Sequence, residues 1–67
     1  MEITVNGEKM TLSSDVTTIT HLVQYVGVRG PVVIVEQNGK ILQQDDHANT
    51  EVKQGDCIEL VQFVGGG

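Results

Sequence analysis

The sequence predicts one small α+β domain in which a sheet packs on a single helix, in the order ββαβ(β)β. Three observations predict it. Strand-forming runs flank Asn6-Gly7, the strongest short hairpin signal. Ile19, Leu22, Val23 and Val26 recur at i, i+3, i+4 and i+7, which places them on one helical face. Further β-branched runs follow Pro31 and the turn Gln54-Gly55-Asp56. At 67 residues the chain buries only about 60% of its unfolded surface, so an enclosed catalytic cavity is not expected. Hydrophobic residues make up 39%, and Tyr25 and Phe63 are the only aromatics. Aliphatic side chains must therefore fill one thin core layer.

In chain order, Glu2 to Val5 and Lys9 to Leu12 form the opening hairpin about Asn6-Gly7. The helix is expected over Val16 to Val26, started by Asp15 or Ser14 and stopped by Gly27. Pro31 breaks the chain before Val32-Val33-Ile34-Val35, a run suited to a strand covered on part of both faces. Asn38-Gly39 then turns the chain toward Lys40-Ile41-Leu42. Gln43 to Thr50 is polar and aperiodic, which suits a loop or a single helical turn, and Glu51 and Val52 are placed to pair briefly. Cys57 to Val64 reads as a long final strand. Its alternation sets Ile58 and Leu60 against Cys57, Glu59, Val61 and Phe63. Burying Glu59 would be costly, so its face belongs to solvent. Val61 and Phe63 then stand as apolar groups on an exposed face, a candidate docking anchor.

Charge and cysteine content exclude several functions. Nine acids against Lys9, Arg29, Lys40 and Lys53 give a net charge of -5, which opposes nucleic acid and anionic membrane surfaces as partners and favours a basic patch on a protein. One cysteine, Cys57, permits no internal disulfide and no cysteine cluster for a metal. The N-terminus carries no basic segment leading into an apolar run, so a cytoplasmic location is expected.

Rival sites in the body of the domain fail on chemistry. Cys57 lies near Asp56 and Glu59, and carboxylates raise a thiol's pKa, so it reads as a small strand residue. His21 falls opposite the apolar helix face, and His47 sits beside Asp45 and Asp46 in what reads as a solvated turn. Neither histidine has helical i, i+4 ligand spacing to another histidine or acid, and no metal is expected. The chain holds no glycine-rich phosphate loop and no nucleophile elbow.

What remains is the ending, Phe63-Val64-Gly65-Gly66-Gly67. Residues without side chains can pass between the walls of a partner's narrow active site. The domain is accordingly read as residues 1–63, with 64–67 as a flexible tail. Extended, residues 64–67 span about 13 Å at roughly 3.3 Å each. The carboxylate of Gly67 becomes the candidate reacting group, with Gly65 and Gly66 entering the partner and Val61, Phe63 and Val64 docking against it. A carboxylate is a poor electrophile, so a partner enzyme would first convert it to an acyl-adenylate with ATP, after which a nucleophile displaces AMP. Sulfide or a persulfide would give a thiocarboxylate, and a lysine would give an isopeptide.

These residues resemble the sulfur-carrier proteins of thiamine biosynthesis (ThiS), within the ubiquitin-like β-grasp superfamily. The resemblance spans essentially the whole chain. It rests on Glu2-Ile3-Thr4-Val5-Asn6-Gly7, on Val33-Ile34-Val35-Glu36-Gln37-Asn38, and on Gly55-Asp56 leading into Ile58-Glu59-Leu60-Val61-Gln62-Phe63-Val64-Gly65-Gly66-Gly67. It implies a β-grasp fold, a mixed sheet of four to five strands wrapping the helix with the first and last strands adjacent and parallel. It also implies a carrier rather than an enzyme, with no bound cofactor. Gly67 would be adenylated by a ubiquitin-activating-like adenylyltransferase that uses ATP. A cysteine desulfurase or another persulfide source would supply the sulfur, and thiazole synthase would accept it. A third glycine, Gly65, and Cys57 in the last strand depart from the common pattern. The molybdopterin-synthase small subunit shares this ending and chemistry, and a ubiquitin-like protein modifier needs the same adenylation. A non-reacting interaction module would need neither.

Overall fold

The computed structural model describes residues 1–28 and 33–62, with the side chain of Val33 outside that description. Strands β1 (Glu2–Val5) and β2 (Glu8–Thr11) form the opening hairpin, followed by helix α1 (Ile19–Val26). Strands β3 (Val33–Gln37) and β4 (Lys40–Ile41), a 3-10 turn at Gln44–Asp46, and β5 (Cys57–Gln62) complete the order. The sheet runs β2-β1-β5-β3-β4. β1 and β5 are parallel and the remaining pairs antiparallel, so the expected mixed sheet with adjacent, parallel first and last strands is present.

Both Asn-Gly pairs make the expected turns. Asn6 (φ 50) and Gly7 (φ 83), like Asn38 (φ 52) and Gly39 (φ 86), take the left-handed conformations that a tight hairpin turn requires. The second strand begins one residue earlier than expected, at Glu8. Leu12 lies beyond β2 and is buried in the core.

The helix begins later than its pattern suggests. Ser14 and Asp15 form a separate turn, in which the Asp15 N–H donates to Ser13 Oγ at 3.3 Å, so neither caps α1. Residues 16–18 lie outside the helix, and Thr18 is extended. The Val52 N–H donates to the Thr17 carbonyl at 2.9 Å, and Thr18 bridges Glu51 in antiparallel fashion, which is the brief pairing expected of that segment. Thr18 is the N-cap, its Oγ1 accepting the His21 N–H at 3.2 Å. Gly27 (φ 82) ends the helix as expected, its N–H directed at the carbonyls of Val23 and Gln24.

The core joins the helix to one face of the sheet. Ile19, Leu22, Val35 and Ile58 are fully buried; Ile3, Val5, Leu12, Val16 and Val52 complete the cluster, and Val23, Val26, Leu42 and Leu60 pack against it. The expected aliphatic layer is thus present. No helix among the described residues is long and apolar enough to cross a membrane. The expected break at Pro31, the residue Val32, and the division between residues 63 and 64 lie outside the described residues.

Candidate functional site

β5 carries the chain toward its glycine ending, and the fold anchors this strand along most of its length. On one flank it pairs with β3 through five residue pairs, from Gln37 opposite Ile58 to Val33 opposite Gln62. On the other flank the parallel ladder to β1 is short: the Thr4 N–H donates to the Asp56 carbonyl and the Asn6 N–H to the Ile58 carbonyl, both at 2.9 Å. β1 then turns away. Asn6 Oδ1 takes over the vacant place and accepts the Leu60 N–H at 2.9 Å. Asn38 does the same at the start of the strand, its Oδ1 accepting the Cys57 N–H at 2.9 Å. The two hairpin asparagines therefore clamp β5 from opposite sides.

The entrance to β5 is fixed by Asp56. Its carboxylate accepts the Lys53 backbone N–H at 2.8 Å, Gln37 Nε2 at 2.9 Å and Asn38 Nδ2 at 3.0 Å. Burial acts to raise the pKa of this carboxyl. The Lys53 N–H, the Asn38 and Gln37 amides and the Lys53 charge outweigh burial and hold it below the usual carboxylate range. Sequence reasoning used Asp56 as a turn residue, as a carboxylate beside Cys57 and as part of the family resemblance, and did not single it out as a fastening. Its Lys53 partner is local, but its side-chain partners come from β3 and its turn, 18 and 19 residues away, where no local signal marks them.

The side chains of β5 alternate as expected. Ile58 is buried and Leu60 packs on the core, while Cys57, Glu59 and Val61 are exposed, Val61 at 45%. Cys57 is a free thiol on the open face. Past Leu60, β5 has register partners on β3 only, and an open groove lined by Asn6, Val26, Gly27, Val28, Leu60 and Gln62 runs along its other flank. Of the proposed docking residues, Val61 is placed and accessible. Phe63 and Val64, and the tail residues Gly65, Gly66 and Gly67, lie outside the described residues.

The histidines separate into one expected and one corrected reading. His21 is exposed, as its helical position predicts, and its Nδ1 accepts the Thr17 N–H at 3.4 Å and lies 3.1 Å from Thr17 Oγ1. His21 and Thr18 together satisfy two N–H groups around the helix start, in the manner of a capping box. His47 is not in a solvated turn. It is 9% exposed, its carbonyl accepts the Thr20 N–H at 3.2 Å, and its buried Nε2 has no partner among the described residues. The contact to the helix start draws the polar loop inward, which its composition did not signal. No group of three or more His, Cys, Asp and Glu side chains among the described residues is placed to hold a metal ion.

Known proteins share both this sequence and this arrangement. The family model described as the ThiS family matches residues 2–67. The sulfur carrier protein ThiS of Bacillus subtilis is 35% identical over 63 residues, covering 94% of this chain and 96% of that protein. A thiazole synthase of Paramagnetospirillum magneticum is 36% identical over 67 residues; the match takes in all of this chain but only 20% of that longer protein. The crystal structure of a thiamine biosynthesis protein (ThiS) from Geobacter metallireducens superposes with a TM-score of 0.84 at 36% identity, covering both chains in full. With the family match running from the first strand to Gly67, and a ThiS crystal structure superposing over the whole chain, the chain belongs to the ThiS family.

Proposed function

We propose that the protein is the sulfur carrier of thiazole formation in thiamine biosynthesis, and that the carboxylate of Gly67 is its reacting group. The protein is a carrier and supplies no catalysis of its own. A ubiquitin-activating-like adenylyltransferase joins the Gly67 carboxylate to AMP from ATP and releases pyrophosphate. Sulfur from a cysteine desulfurase, or from another persulfide source, then attacks the acyl carbon. A C–S bond forms as AMP departs with the C–O electron pair, leaving an acyl disulfide between the carrier and the sulfur donor. A second thiol, on the donor or free in solution, then attacks the donor's sulfur, so that the S–S bond breaks, the thiocarboxylate leaves with its electron pair and the donor is left as a disulfide. Thiazole synthase takes the sulfur from the resulting thiocarboxylate. ATP is the partner's co-substrate, and the carrier holds no cofactor.

The observation that carries this reading is the anchoring of β5. Asn6, Asn38 and Asp56 hold the strand as far as Leu60, and Gln62 stands five residues before Gly67. Five extended residues reach about 16 Å, enough to deliver a carboxylate into a buried site while the domain stays at its mouth. Gly65 and Gly66 pass the constriction, and Val61, Phe63 and Val64 seat against its rim. Thiazole synthase as acceptor draws support from the Paramagnetospirillum relative, in which a segment similar to this whole chain is part of a protein of that name.

Deleting Gly67 tests the assignment. The shortened chain should keep its thermal midpoint, because the last residue of a domain generally contributes little to its stability. It should lose sulfur transfer entirely. Transfer at the wild-type rate by the shortened chain would overturn the reading.

A further inference from the structure

The chain holds three asparagines, and two of them precede glycine, in Asn6-Gly7 and Asn38-Gly39. An asparagine amide is an electrophile that its own backbone can attack. The nitrogen of the next residue adds to Cγ, ammonia leaves and a succinimide ring closes; water then opens the ring at either carbonyl, giving aspartate or isoaspartate. Glycine in the next position favours the attack, because no Cβ crowds its nitrogen and its backbone turns freely into the geometry required. Asn49 precedes Thr50, whose β-branched side chain obstructs the same approach.

The two turns have matching backbones and are both exposed, with φ 50 and 83 for Asn6 and Gly7 and φ 52 and 86 for Asn38 and Gly39. Neither glycine N–H donates a hydrogen bond among the described residues, so both nitrogens are free to lose a proton and attack. The side chains differ. Asn38 is held at both ends, its Oδ1 accepting the Cys57 N–H at 2.9 Å and its Nδ2 donating to Asp56 Oδ1 at 3.0 Å. Asn6 is held by one bond, from the Leu60 N–H to its Oδ1, and its Nδ2 has no partner among the described residues. Ring closure swings the amide out of its folded position and releases Nδ2 as ammonia. At Asn38 this breaks two bonds, one of them to a carboxylate that Gln37 and Lys53 fix in place. At Asn6 a single neutral bond yields.

We propose that Asn6 is a self-modification site of the folded chain, converted by attack of the Gly7 nitrogen and then of water, while the fastening of Asn38 spares the equivalent turn. The bond from the Gly7 nitrogen to Cγ forms as the Cγ–Nδ2 bond breaks, and the departing nitrogen leaves as ammonia with the proton that Gly7 gave up. Water then adds its hydroxyl to one ring carbonyl and its proton to the ring nitrogen. Opening at Cγ gives aspartate, which keeps an acceptor for the Leu60 N–H. Opening at the main-chain carbonyl gives isoaspartate, which adds a backbone atom to the turn and takes the accepting carbonyl into the main chain. In that form β5 loses its clamp at Leu60, two residues before the end of the strand.

The test is ageing of the full-length chain in mildly alkaline buffer, folded and in urea, followed by peptide fragmentation at both turns and labelling with an isoaspartate-specific methyltransferase. Conversion replaces NH by O, which mass reads separately at residues 6 and 38. In urea neither side chain keeps its partners, and both sites should convert. In the folded chain Asn6 should convert, and the ratio of its rate to that of Asn38 should be about tenfold higher than in urea, the factor expected of one further charge-assisted bond to break. In the isoaspartate form, separated by reversed-phase chromatography, the Leu60 amide should exchange its hydrogen about fivefold faster than in the unaged chain, as loss of one net hydrogen bond predicts. Asn6→Asp should leave that exchange rate unchanged. An Asn6 that converts in urea but survives folded ageing, or a rate ratio that is the same folded and unfolded, would overturn the proposal. Unaltered Leu60 exchange in the isoaspartate form would overturn the consequence for β5.

Discussion

Asn6 Oδ1 accepts the backbone N–H of Leu60 at 2.9 Å, joining residues 54 apart in the chain. This bond continues the ladder beside β5 after β1 has turned away. Asn6→Ala removes it and also forces a Cβ-bearing residue without a local polar side chain to hold φ 50. The expected cost is about 2 kcal/mol, roughly half from the bond and half from the left-handed backbone. Asn6→Gly keeps the conformation open and should cost only about 1 kcal/mol. Urea unfolding of both variants measures the two contributions, and equal stability of Asn6→Ala and wild type would contradict the clamp.

The same residue shows how much the sequence disclosed. Asn6-Gly7 announced its hairpin because a two-residue turn has a local signature, and the apolar face of α1 was equally plain from Ile19, Leu22, Val23 and Val26. The glycine ending was legible too, as a chemical opportunity. What Asn6 does for β5 was not legible, because its side-chain partner lies 54 residues away. The start of α1 was misplaced for a related reason. Ser14, Asp15, Thr17 and Thr18 are all residue types that can cap, and the pairing of residues 17 and 18 with residues 51 and 52 decides among them. His47 reads as polar by type and neighbours, yet tertiary contact with the helix start buries it.

Asp56 gives the fold an acid-sensitive fastening. Burial raises its pKa, but the Lys53 N–H, the Asn38 and Gln37 amides and the Lys53 charge outweigh that effect, and the folded value lies below the unfolded one. A carboxyl depressed by folding contributes stability that is fully present above its unfolded pKa of about 3.9 and is lost as pH falls through the folded value. The wild-type urea midpoint should therefore fall on acidification below about pH 4. Asp56→Asn should flatten that acid limb. At neutral pH it should cost about 1–3 kcal/mol, because one amide oxygen cannot accept all three donors. An unchanged acid limb in the variant would show that other carboxylates set it.

The cap at Thr18 separates the observed helix start from the one its sequence suggests. Thr18→Ala should lower stability by about 1 kcal/mol, since Oγ1 accepts the His21 N–H at 3.2 Å. Ser14→Ala and Asp15→Ala should each change it by less than about 0.5 kcal/mol, being exposed and outside the helix. Thermal unfolding of the three variants reads the difference. A larger loss at position 14 or 15 than at 18 would move the helix start back toward Val16.

The central claim is that Gly67 carries sulfur on its carboxyl carbon. Its most direct test is the intact mass of the full chain after incubation with the adenylating enzyme, ATP, a persulfide source and a thiol reductant, with fragmentation to locate the change. The account predicts one oxygen replaced by sulfur, confined to the C-terminal glycine peptide and dependent on ATP. An unmodified C-terminus under conditions that adenylate it, or adducts to lysines of other proteins with no thiocarboxylate, would contradict it.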